Sequence, residues 1–122
     1  RAAARSDAAE RAFQRLKESA GERVTIIGVD RLDYSKGLEE RFLGYRRFLE
    51  EHERWRSKVF LLQIAPPSRG EVHTYEAIRE RLDELSGRVN GEFAEVDWTP
   101  IRYVNQGYGR PDLAGFYRAS EI

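Results

Sequence analysis

Apolar and polar positions follow two periods along this chain, and the switches between them mark out alternating helices and strands. In residues 2–20, rich in alanine, arginine and glutamate, Ala9, Phe13, Leu16 and Ala20 trace a narrow stripe at helical spacing, and Gly21 follows as a C-cap. Val24-Thr25-Ile26-Ile27-Gly28-Val29 is a short apolar run rich in β-branched residues, the pattern of a buried strand. A polar loop carrying Arg31 and Lys36 comes next and ends in Lys36-Gly37. From there Leu38, Phe42, Tyr45 and Leu49 recur on one helical face and predict a helix to about Glu51, with Glu39 and Glu40 in its first turn complementing the helix dipole.

The alternation then repeats. Arg54, Trp55 and Arg56 form a connection, with Trp55 as a lid over the helix end. Residues 58–64, Lys-Val-Phe-Leu-Leu-Gln-Ile, read as a second buried strand, stopped by Ala65-Pro66-Pro67. Ser68 and Glu71 form a capping box for a helix that buries Tyr75, Ile78, Leu82, Leu85 and Val89 and stops at Asn90-Gly91. Residues 92–100 fit no single pattern. Ile101–Val104 is a third strand, Asn105–Gly109 a glycine-rich turn, and Pro111 opens a helix with Leu113, Phe116 and Tyr117 apolar.

Buried strands separated by helices imply right-handed βαβ units, and hence an α/β fold with a parallel, Rossmann-like sheet and flanking helices. Residues 1–21 read as an N-terminal helix or interdomain segment, and residues 22–122 as part of one Rossmann-like domain. In a doubly wound order the first strand is central, so its outer edge is expected to be open and available for self-association.

Composition narrows the function. Charged residues make up 34% of the chain, yet 21 basic balance 21 acidic, so no global field draws in nucleic acid or an anionic membrane. There is no cysteine for a disulfide scaffold or thiolate metal site, and His52 and His73 fall on separate predicted helices as exposed residues, without the clustering a metal needs. No apolar run approaches the ~20 residues of a membrane span. The first helix has too thin an apolar face for a membrane-surface helix. A cytoplasmic protein is expected.

Any anion site must therefore be local. The N–H groups opening the helix after the first strand, with Gly37 allowing close approach, suit a phosphate, and Arg31 and Lys36 add full positive charge. Arg69 opens the next helix in the same way, and ligands of parallel sheets bind outside those strand ends. On composition alone, solvated surface cations remain an equal alternative for Arg31 and Lys36, and for Arg69 a local carboxylate partner is the lesser alternative.

The motifs are longer than that chemistry requires. Residues 29–42, Val-Asp-Arg-Leu-Asp-Tyr-Ser-Lys-Gly-Leu-Glu-Glu-Arg-Phe, resemble the opening motif of the nucleotide-binding domain of trehalose-6-phosphate synthases. The resemblance continues through residues 63–70 (Gln-Ile-Ala-Pro-Pro-Ser-Arg-Gly) and 98–103 (Trp-Thr-Pro-Ile-Arg-Tyr), and covers residues 22–122. It implies the first half of the C-terminal domain of a GT-B fold, in a retaining transferase of two facing Rossmann-like domains. Such an enzyme moves glucose from UDP-glucose to glucose 6-phosphate, without a catalytic metal or cofactor. It also implies roles: Arg31 and Lys36 grip the UDP diphosphate and stabilise its departure, Arg69 reaches the acceptor phosphate, and Tyr108 lies near the uridine. The family's acceptor domain and donor-glucose loop do not occur in these 122 residues, so the chain alone is expected to bind anions weakly and not to turn over. Relatives using another acceptor, such as glucosylglycerol phosphate synthases, or another nucleotide sugar, and a non-catalytic regulatory domain, remain the alternatives.

Overall fold

A computed structural model describes residues 2–30, 35–66 and 72–121, with side chains described over 7–30, 37–66 and 76–121. Three parallel strands, β1 (Val24–Val29), β2 (Val59–Ile64) and β3 (Ile101–Val104), form one sheet in the order β1-β2-β3. Helices α2 (Ser35–Glu51) and α3 (Val72–Phe93) cover one face, and α1 (Ala2–Ala20) and α4 (Arg110–Ala119) the other. The α/β, Rossmann-like architecture is the one the alternation predicts.

Side-chain alternation on the strands builds the two layers. Val59 and Leu61 of β2 meet Leu38, Phe42, Tyr45 and Leu49 of α2 and Ile78, Leu82, Leu85 and Val89 of α3. Phe60, Leu62 and Ile64 turn the other way, onto Leu16 and Phe116. β2 is buried along its whole length because it has a strand on either side and helices on both faces. β1, read as buried, is mostly half-buried because it lies at the sheet edge. At that edge Glu121 meets Thr25: the Glu121 N–H donates to the Thr25 carbonyl at 3.0 Å, and the Thr25 N–H donates to the Glu121 carboxylate at 3.3 Å.

Several boundaries differ from the sequence pattern for visible reasons. α2 starts at Ser35, so Lys36 and Gly37 belong to its first turn rather than to the loop. Glu39 and Glu40 then fall in the second turn, and Glu39 pairs with Arg81 of α3 at 3.0 Å. α3 runs through Asn90-Gly91 to Phe93, because the Ala94 N–H continues the helical ladder to the Asn90 carbonyl. In α1 Ala12 is buried, whereas Ala9 and Phe13 are only half-buried. Tyr117, read as apolar packing, is 52% exposed, and α4 begins one residue ahead of Pro111. His52 is exposed but lies just past the end of α2, and the side chain of His73 in α3 is outside the described residues.

The Gly21 cap and the Trp55 turn fall where the sequence predicts them. Gly21 takes a positive φ of 62° after α1, with its N–H on the Lys17 carbonyl at 3.0 Å. Trp55 closes a 3-10 turn, Glu53–Trp55, and packs on the core beside α2. The neighbouring Arg56 caps α2 by donating to the carbonyls of Leu49 (2.8 Å) and Glu50 (3.3 Å). Residues 94–100, ambiguous in sequence, are anchored by Trp98, which is buried with its indole N–H on the Val59 carbonyl at 2.7 Å. No helix among the described residues is long and apolar enough to cross a membrane.

Candidate functional site

Parallel pairing brings the loops that leave the C-terminal ends of the strands side by side. Val29 and Ile64, the last residues of β1 and β2, are register partners. Beyond them the Asp30 N–H donates to the Ile64 carbonyl at 3.0 Å. The loop after β3 is tied to the same edge: the Asn105 amide donates to the Ala65 carbonyl at 3.0 Å, and Gly107 passes beside Pro66. α2 and α3 start beyond the ends of adjacent strands and lie on the same face of the sheet, so their positive dipole ends share that rim. Among the described residues nothing stands within 4 Å of where a side chain on Gly37 would begin.

The expected site residues fall unevenly on this geometry. Lys36 lies in the first turn of α2 by its backbone, its side chain being outside the described residues. Arg31, Arg69 and the Ser68–Glu71 capping box also lie outside them. Tyr108 is described, and it sits on the opposite side of the sheet from α2. Its ring meets Phe116 edge-on at 5.2 Å, and its hydroxyl donates to the Gln106 side chain at 3.3 Å. With Leu16, Ile64 and Val104, Tyr108 lines a cavity of about 130 Å³ between α1 and the sheet.

Sequence reading missed a polar cluster at this rim. Gln63 is fully buried, the one polar side chain in β2, and its carbonyl oxygen accepts from the Arg41 guanidinium at 2.8 Å. Its amide nitrogen donates to the Asp30 carboxylate at 3.0 Å, and the same carboxylate oxygen accepts from Arg41 at 2.5 Å. The signals were present: a glutamine inside an apolar strand must find partners, and Gly28 interrupts a β-branched one. A Cβ at Gly28 would stand 2.5 Å from the Gln63 oxygen and 2.6 Å from the Arg41 nitrogen, so the cluster needs that glycine. Among the described residues no group of three or more His, Cys, Asp or Glu is arranged to hold a metal ion.

Comparison with known proteins agrees with the fold and the motifs. The chain is 48% identical over 109 residues to the trehalose-6-phosphate synthase of Sinorhizobium fredii (strain NBRC 101917 / NGR234), an alignment covering 89% of this chain and 24% of that protein. It superposes with a TM-score of 0.87 on an alpha,alpha-trehalose-phosphate synthase (UDP-forming) from Burkholderia xenovorans in complex with glucose-6-phosphate, at 47% identity, over 95% of this chain and 26% of that one. A structure described as trehalose-6-phosphate from E. coli bound with UDP-2-fluoro glucose gives a TM-score of 0.82 at 37% identity, over 95% of this chain and 28% of that one. The chain thus spans about a quarter of the length of these relatives. Residues 1–122 all match the profile of Glycosyltransferase family 20, and it is to that family that the chain belongs.

Proposed function

We propose that this chain supplies the nucleotide-sugar side of a retaining trehalose-6-phosphate synthase, which transfers glucose from UDP-glucose to glucose 6-phosphate and gives trehalose 6-phosphate and UDP. What supports this most is the rim itself: α2 and α3 both begin beyond the paired ends of β1 and β2, with Lys36 in the first turn of α2. Arg31 and Lys36 take the diphosphate and Arg69 the acceptor phosphate. A nucleoside role for Tyr108 rests on the family resemblance alone, since its ring packs on Phe116 across the sheet from α2. Departing UDP gains negative charge, and cations and N–H groups placed in advance stabilise that charge most in the transition state. In a complete enzyme, losing one such donor costs about 10²–10³ in kcat. Both ligands are multiply charged and do not cross a bilayer unaided, which favours a cytoplasmic setting.

An amide NMR titration of the chain tests this reading. UDP is expected to shift Ser35, Lys36 and Gly37, with the response lost in Arg31→Ala, and glucose 6-phosphate to shift residues around Arg69. No response to UDP at residues 35–37 overturns it. The outer edge of β1 beyond Thr25 is proposed in addition as a self-association surface. A monomeric sedimentation coefficient at high micromolar concentration overturns that part.

A further inference from the structure

We propose that Asp30, Arg41 and Gln63 form a clamp that positions the cationic rim for its anionic ligand, a role that rests on the function proposed above. The three side chains come from three elements and close a triangle. Arg41 of α2 donates to both Asp30 and Gln63, and Gln63 of β2 donates to Asp30 at the end of β1. Asp30 is held a second time through its backbone N–H on Ile64. Each side of the triangle therefore fixes a different pair of elements: β1 to α2, α2 to β2, and β2 to β1.

Stability alone does not account for this arrangement. The Arg41 and Asp30 side chains are 39% and 38% exposed, and ion pairs that open to water add little to folding. A buried glutamine does less for a core than the valine or leucine its neighbours use. Location gives the cluster its purpose. Asp30 immediately precedes Arg31, so clamping it fixes the point from which the chain leaves β1 toward that arginine. Arg41 lies on α2, five residues after Lys36, so clamping it fixes the first turns of α2 against the ends of both strands. Gly28 completes the device by leaving room for the Gln63 oxygen and the Arg41 nitrogen above the strand. Asp30, Arg41 and Gln63 are thus positioning residues, acting through Arg31 and Lys36.

The test is calorimetric titration of UDP into the chain and its variants, at a temperature where circular dichroism shows each fully folded. Asp30→Ala and Arg41→Ala are expected to weaken UDP binding about 10-fold or more, which corresponds to about 1.4 kcal/mol of lost contact with the anion. Asp30→Asn keeps an oxygen that can accept both hydrogen bonds and is expected to recover most of the affinity. Gly28→Ala reaches the clamp from the strand side with all three side chains retained, and is expected to weaken UDP to a similar degree; it decides the question if Asp30→Ala does not fold. Binding that is lost in Arg31→Ala but intact in Asp30→Ala, Arg41→Ala or Gly28→Ala overturns the clamp and leaves the functional reading standing. A parent chain that does not bind UDP, or binds it equally well as Arg31→Ala, overturns that reading and the clamp with it.

Discussion

Asn90 and Ile101 exchange two hydrogen bonds, side chain to backbone: the Asn90 amide oxygen accepts from the Ile101 N–H at 2.9 Å, and its nitrogen donates to the Ile101 carbonyl at 3.0 Å. β3 pairs with β2 on one side only among the described residues, and Asn90 supplies at its other edge what a neighbouring strand would. Asn90→Ala should cost about 1–3 kcal/mol, because two backbone groups lose their partners. Asn90→Asp keeps only the acceptor and should fall between. Urea unfolding with unchanged m-values checks both, and a loss below 0.5 kcal/mol would contradict the assignment.

That pair also explains a boundary the sequence pattern placed too early. Asn-Gly is a helix stop when the asparagine or glycine turns left-handed, but here Asn90 is committed to β3 and the ladder continues beneath it. The faces of α2 and α3 were legible because their periodicity is a local property: Leu38, Phe42, Tyr45 and Leu49 bury as spaced, as do Ile78, Leu82, Leu85 and Val89. The rim cluster was not, since its members stand 11, 22 and 33 residues apart and only the parallel register brings them together. Arg31, Lys36 and Arg69 entered the reading as cations that follow strand ends in the sequence, and Arg31, Arg69 and the Lys36 side chain lie outside the described residues. The docking of α1 on α4 was hidden for another reason: small residues such as Ala12 and Gly115 carry it, and they leave no hydrophobic signature.

Gly115 makes that docking testable. A Cβ at this position would overlap the Ala9 carbonyl oxygen and stand 2.7 Å from the Ala12 Cβ, so α4 approaches α1 nearly backbone to backbone. Gly115→Ala should destabilise by about 1–3 kcal/mol through overpacking. Gly87, exposed on α3 with nothing within 4 Å, is the control. There the same substitution should stabilise by about 0.5–1 kcal/mol, because alanine loses less backbone entropy in a helix. Opposite signs in thermal unfolding are expected, and equal effects would refute the close approach.

Tyr45 predicts a loss of stability in alkali. Its hydroxyl donates to the Pro100 carbonyl at 3.0 Å inside the α2–α3 layer. Burial pushes its phenol well above the ordinary range, with a smaller opposing contribution from the Leu61 backbone. The unfolded chain ionises this tyrosine near pH ~10, while the folded chain still holds the proton. Above that pH the folded state binds more protons than the unfolded one, so stability falls as pH rises. The slope from this one group approaches about 1.4 kcal/mol per pH unit between the unfolded and folded pKa values. Below pH ~10 the contribution is fully present, so the wild type should exceed Tyr45→Phe by the worth of one hydrogen bond, about 0.5–1.5 kcal/mol. Denaturant unfolding of both proteins at several values between pH 8 and pH 11 should show that advantage constant at first and then shrinking. Curves that stay parallel across the range would mean the hydroxyl is not buried as described.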